Sequence, residues 1–296
     1  MPLKPERKTA IRLPRVACEV TSQGVGAVRA EGKAGTISAV HRSALAAGVL
    51  TPTLTAQNVQ DAHALSHAIG QAMAAVGGRG QEVIAVLPDS AVRVSLLDFD
   101  SLPERRQEAD AAVRFRLRKS LPFDIEKAAL SFDAQKTTKG LRVAASIVLH
   151  SVLEEYESAF RNAGCSPGVV LPSSLGALGA AEAQRPTMVL KVGQDATAVA
   201  VASDGQLLLF RILEGPGIGG LSAARLAEDI YPSLVYFQDN YGMSVEQLLV
   251  SGVDGMGELS AALEEQTGIK VGELIGAGIG AGKLSNEFAG AIGALL

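Results

Sequence analysis

A chain of 296 residues, 47% hydrophobic and 20% charged with a formal net charge of −4, has the apolar content for a core and too little charge to stay disordered. At ~150 residues per domain the length suggests about two domains, or one large two-lobed one. A pI of about 5.7 argues against a dedicated nucleic-acid module, and with no Trp, 8 Phe and 4 Tyr the core must be aliphatic.

The first 15 residues, MPLKPERKTAIRLPR, are basic with no apolar run behind them. They read as an N-terminal arm, not as a secretory signal. Residues 16–20, 25–30 and 35–40 read as three short strands broken by turns, and 56–76 as an amphipathic helix stopped by GGRG. Two strand-like runs, EVIAVLP and VRVSLLDFD, are split by Pro88-Asp89-Ser90. Residues 103–120 form a second helix with Pro103 in its first turn. KAALSFDAQ and LRVAASIVLH flank a KTTKG hairpin turn. A helix follows with Ser151 as its N-cap, Glu154 three residues on, and Gly164 as its stop. A strand at VVLP and a short helix at SSLGALGAAEA close the first half.

The second half starts afresh. MVLKV, ATAVAV and QLLLFRIL read as three strands, the last two joined at Asp204-Gly205. A helix over 221–238, a strand at EQLLVSG, a helix at GELSAALEEQTG, a strand at IKVGEL and a final helix at NEFAGAIGALL follow. Both halves open with a three-stranded meander and a helix, which we read as a duplication of topology with its boundary near 165–187. No window holds ~18 consecutive apolar residues, so no membrane span is expected. Cys18 and Cys165 sit in apolar contexts, as reduced thiols of a cytoplasmic protein would.

Several motifs fit their chemistry only partly. Residues 215–220, GPGIGG, satisfy G-x-G-x-x-G after a strand and before a helix. The strand before them already pairs in a hairpin, and the next acid, Asp254, is too far on for a dinucleotide unit. Residues 276–285 resemble a phosphate-binding loop, but Ala277 and Leu284 stand where Gly and a hydroxyl belong. His63 and His67 share one helix face without a third ligand. The 103–120 helix is rich in arginine, with acids interleaved at its start. No Ser-His-Asp grouping can be argued.

Four segments taken in order are more informative: CEVTSQGVGAVRA, the stretch from IAVLPDSAVRV through Leu121-Pro122-Phe123 to FDAQ, VLKVGQDATAVAVASDGQLLLFRIL, and LLVSGVDGMGELSAALEEQTGIKV. Together they resemble the PilM family of actin-like proteins of type IV pilus assembly, relatives of the cell-division protein FtsA. The resemblance implies an α/β, actin-like (ribonuclease H-like) two-lobed fold with duplicated sheet-and-helix halves and an inserted α+β subdomain. The first lobe would take 16–80 and 151–172, the subdomain 81–150, and the second lobe 173–296.

The departures from that family bear on the nucleotide. The first phosphate turn would comprise Glu19, Ser22, Gln23 and Gly24, with Glu19 for the usual Asp and Thr21 for a Gly. The second would comprise Lys191, Gly193 and Asp195, and Lys191 stands for an Asp, reversing a charge that would hold magnesium. The adenosine segment would comprise Gly252, Asp254 and Gly255, with Val253 in place of a Gly. The helical lid of the family is reduced to almost nothing after 220. These residues read as a vestigial nucleotide site, with no catalytic residue, no metal and no resident cofactor beyond weak ATP and magnesium.

The expected function is a non-catalytic scaffold at the cytoplasmic face of the inner membrane, in a pilus or type II secretion platform. As partners the resemblance implies the cytoplasmic tail of a PilN-like membrane protein and other platform components. It leaves homo-oligomerisation open. Partner contacts would fall near Arg114, Arg118 and Phe123. Two rivals are a working ATPase on the same fold, using Glu19 and Asp195, and a dinucleotide enzyme using 215–220.

Overall fold

The computed structural model describes residues 13–32, 36–138, 140–194, 196–214, 222–253, 256–276 and 286–296. The first half runs β1 (Val16–Thr21), β2 (Gly24–Glu31), β3 (Thr36–Ala44), α1 (Ala62–Ala75) and β4 (Glu82–Leu87), and resumes at α3 (His150–Asn162), β8 (Ser166–Pro172) and α4 (Ser173–Leu178). Between β4 and α3 lie β5 (Arg93–Phe99), α2 (Arg106–Leu117), β6 (Ala128–Thr137) and β7 (Gly140–Leu149). The second half repeats the first without that insertion: β9 (Thr187–Val192), β10 (Ala196–Ser203), β11 (Gln206–Glu214), α5 (Ala223–Tyr241), β12 (Gln247–Ser251), α6 (Met256–Thr267), β13 (Lys270–Glu273) and α7 (Ala289–Gly293).

The two five-stranded sheets have the same order, β3-β2-β1-β4-β8 and β11-β10-β9-β12-β13. Each begins with an antiparallel meander and continues with two parallel strands. The central strands β1, β4 and β9 are apolar almost throughout, as strands covered on both faces must be. Each half packs its own core, and a third cluster joins them, formed by Ala17, Val28 and Val86 of the first half with Val189, Leu274, Phe288 and Ile292 of the second.

The short helices α4 and α7 cross where the halves meet. A Cβ on Gly179 would lie 2.1 Å from the Gly293 carbonyl, and one on Gly293 would lie 2.3 Å from that of Gly176. Backbone therefore packs on backbone, which no side chain permits there.

Several boundaries differ from the sequence reading. β4 pairs with β1 and β8, so it is a central strand of the first lobe, and the inserted subdomain begins at β5 and not at 81. An apolar run such as EVIAVL has to be covered on both faces, and only the larger sheet does that. The first helix is shorter than 56–76, because Asp61 accepts the Ala64 N–H and fixes its start. α3 starts one residue before Ser151, and no side chain caps it. α2 starts at Arg106, after Pro103. The β10–β11 turn is the expected hairpin, with Asp204 at φ 49° and Gly205 at φ 72°.

The subdomain is a three-stranded sheet, β5-β7-β6, covered by α2. Ala109, Val113 and Leu117 recur on one face of α2 and are buried, which leaves Arg106 and Arg116 outward. Among the described residues between β11 and β12 the regular element is α5, the counterpart of α1 between β3 and β4.

Candidate functional site

The ends of β1, β4 and β9 meet in a cleft between the two halves, lined by Glu19, Thr21, Ser22, Asp89, Ser173, Lys191, Gly193 and Gln194 among others. Glu19 comes from the first lobe and is wholly buried. Its carboxylate accepts a short hydrogen bond from the Ser173 hydroxyl at the start of α4. It also accepts the Ala291 N–H of α7 at 2.9 Å. Its remaining partner is Lys191 of the second lobe, whose Nζ lies 3.2 Å from Oε1. Three donors from three elements therefore use this carboxylate.

The two neighbouring groups are tied in the same manner. Asp89, in the turn after β4, accepts from the Ser174 N–H at 2.8 Å and from its hydroxyl at 2.6 Å. Burial pushes the Asp89 carboxyl above its ordinary range, against the opposing pull of the Lys191 ammonium and Ser174. Burial acts to lower the Lys191 ammonium, but Glu19 and Asp89 outweigh it and hold it above its ordinary value.

The turn after β1 is also closed on itself. The Thr21 hydroxyl accepts the N–H of Gln23 at 3.4 Å and of Gly24 at 3.1 Å, and donates to the Gly24 carbonyl at 2.9 Å. Phosphate cradles are made of such turn amides left pointing outward; here a threonine hydroxyl takes them. The cleft that remains holds about 50 Å³, room for a water or two, whereas small-molecule sites run to roughly 300–1,000 Å³.

Two of the glycines read as vestigial contacts, Gly193 and Gly252, shape the backbone around them. The Gly193 N–H closes the β9–β10 turn onto Ala196 O at 2.9 Å. Gly252 sits at φ 83°, and a Cβ there would come within 1.9 Å of the Val192 carbonyl, so both the left-handed backbone and the close approach demand glycine. Next to it, Ser251 Oγ and Asn286 Oδ1 are buried with no hydrogen-bond partner among the described residues. Asp195, Asp254 and Gly255, and the loops 215–220 and 277–285, lie outside the described residues. The strand before 215–220 is the edge of an antiparallel meander, which is not the parallel unit that a dinucleotide fingerprint needs.

The candidate partner residues are spread over the subdomain. Arg114 is committed internally: its guanidinium meets Asp110 at 2.6 Å and donates to the carbonyls of Ile125 at 2.8 Å and Ala128 at 3.2 Å. Arg118 is exposed and lies 3.6 Å from Glu126. Phe123 is half-buried against the subdomain core. The residue that sequence reasoning missed is Phe115, 76% exposed on the outer face of α2. At 100° per residue it lies opposite the buried Val113–Leu117 stripe, so a helical wheel would have found it. The paired histidines, His63 and His67, stack at 6.4 Å on α1, and no cluster of three metal-ligating side chains exists among the described residues.

No protein-family model matches this chain, and no curated protein matches it in sequence. Solved structures do. A chain of the PilM-PilN type IV pilus biogenesis complex superposes with a TM-score of 0.77 over 96% of this chain and 98% of that one, at 20% identity. A Bacteroides thetaiotaomicron protein described as having an actin-like ATPase fold gives a TM-score of 0.50 at 11% identity, over 86% of this chain and 89% of that one. The fold is actin-like. The cytoplasmic domain of EpsL, an inner-membrane component of the type II secretion system of Vibrio cholerae, aligns over 90% of this chain and 99% of its own, with a TM-score of 0.53 and 12% identity. At these identities the likeness is one of fold. The actin-like architecture accounts for the duplicated sheets and for a cleft at the ends of β1 and β9.

Proposed function

We propose that this chain is a non-catalytic actin-like scaffold of an inner-membrane assembly platform, in a type IV pilus or type II secretion system. It works at the cytoplasmic face and binds the cytoplasmic tail of a PilN-like membrane protein. The observation that carries the non-catalytic part is the buried Glu19–Lys191 pair. It puts an ammonium where the actin-like cleft would need a carboxylate for magnesium-bound phosphate, and it commits both oxygens of Glu19 to protein donors. The assignment to a platform is supported by whole-length likeness to a chain of the PilM-PilN complex and to the EpsL cytoplasmic domain. No helix among the described residues is long and apolar enough to cross a membrane.

The partner surface belongs on the subdomain, where α2 presents Phe115 and Arg118 outward. An extended peptide would gain an aromatic anchor and a cation there.

The deciding experiment is a titration of the purified protein with Mg-ATP, read as a melting shift. A ligand that binds the native state must raise stability, by ~2.7 kcal/mol at a hundred times its dissociation constant. No shift at millimolar Mg-ATP is expected. A clear shift that is lost in Glu19→Ala would restore the ATP-binding reading. The partner is tested in parallel by pull-down with a PilN-like tail peptide.

A further inference from the structure

A cleft that no nucleotide fills still has to be held shut. In actin-like architecture it lies between two lobes, and here it contains two carboxylates, one wholly buried and one half-buried. Glu19 stands at the end of β1, and Asp89 follows β4. Both belong to the first lobe. Two carboxylates in one narrow cleft repel each other, and a buried one such as Glu19 is costly without a partner.

Among the described residues the second lobe contributes one cation to the same cleft. Lys191 leaves the end of β9 with its side chain 9% exposed and places Nζ 3.2 Å from Glu19 Oε1. A second ion pair also joins the halves, Arg42 to Glu287 at 2.8 Å, but its side chains are 32% and 39% exposed, where solvent screens them.

We propose that Lys191, paired with Glu19 in the cleft that Asp89 also lines, is a built-in cation that takes the place of a divalent ion and clamps the two lobes into one closed arrangement without any ligand. This rests on the reading that no nucleotide governs the cleft and says what governs it instead. The partner-binding subdomain, which grows from the β4 side of the cleft, is then displayed in a constant pose.

The consequence can be read from metal ions. With its ammonium in place, the wild-type chain should melt at the same temperature with or without millimolar Mg²⁺. Lys191→Met keeps the stem and removes the charge. It should melt well below the wild type, and Mg²⁺ should raise its melting temperature by ~5 °C through mass action. Lys191→Arg retains a cation and should stay insensitive to Mg²⁺. If Lys191→Met does not fold, Lys191→Met/Glu19→Gln, which removes both charges, should fold and ignore Mg²⁺; a Mg²⁺ response in that double variant would count against the proposal. A Lys191→Met chain that melts with the wild type, or whose loss Mg²⁺ leaves untouched, overturns it. The two readings fail separately: a wild-type shift with Mg-ATP overturns the absence of nucleotide, whereas a Mg²⁺-insensitive Lys191→Met overturns the clamp alone.

Discussion

In the first half of the molecule the central strand β1 carries an acid near its end, Glu19; in the second half its counterpart β9 carries a base, Lys191. The strand order around them is identical, and so is the pattern of parallel and antiparallel pairing. The first half continues from β4 into a subdomain, the second from β12 directly into α6. A duplicated backbone is thus maintained by its apolar strands, while the polar residues at the strand ends are free to diverge. They have diverged to opposite charge, so that each half completes the other. A buried charge needs a partner, and here the partner is supplied by the other half.

That comparison can be broken in graded steps. Gly179→Val puts a branched side chain where even a Cβ would lie 2.1 Å from the Gly293 carbonyl. It should push the halves apart and cost upwards of ~5 kcal/mol, seen as loss of soluble folded protein. Glu19→Ala leaves the Lys191 ammonium buried without its ion-pair partner and should cost ~3–4 kcal/mol in chemical denaturation. Combining it with Lys191→Met should cost less than the sum of the two single changes.

The base can also be neutralised by pH. Its folded pKa is raised from 10.5 by Glu19 and Asp89 working against burial. The stability it contributes is therefore fully present below about pH 10.5 and is lost as the pH climbs through the folded value. An alkaline melting series should show that loss in the wild type and not in Lys191→Met.

Smaller effects lie outside the duplicated frame. Arg142 on β7 pairs with Asp98 at 2.9 Å and donates to the Tyr241 hydroxyl, which in turn donates to the Leu208 carbonyl at 2.7 Å. Arg142→Ala should loosen the subdomain from the second lobe, cost ~1–2 kcal/mol and speed proteolysis near β5. Arg118→Glu, on the exposed face of α2, should leave stability within ~0.5 kcal/mol and weaken capture of a partner peptide. Unchanged capture would move the docking surface elsewhere.

Much of the frame was legible in the chain. Short apolar runs separated by Gly-containing turns gave the strands, and their recurrence gave the two halves. Pairing partners were less legible, because EVIAVL reads alike in either sheet and only its coverage decides which it joins. The cleft was half legible. The charge reversal at Lys191 stood out by type, but no spacing rule brings Glu19, Ser173 and Ala291 together across the chain. Arg114 looked like a free surface cation, since sequence does not say where a long side chain folds back. The glycines of α4 and α7 lay inside runs read as helices, and a close helix crossing leaves no local pattern to single them out.

The Glu19–Ala291 hydrogen bond spans 272 residues, and Phe288 lies against Gly26 of β2. A ribosome adding roughly 5–20 residues per second needs tens of seconds to cover that interval. Through that time the first lobe waits with an acid unsatisfied and one sheet face uncovered. The nascent chain therefore cannot finish its oldest part until its youngest helix emerges, and a cell that makes this protein has to shelter the first lobe until then.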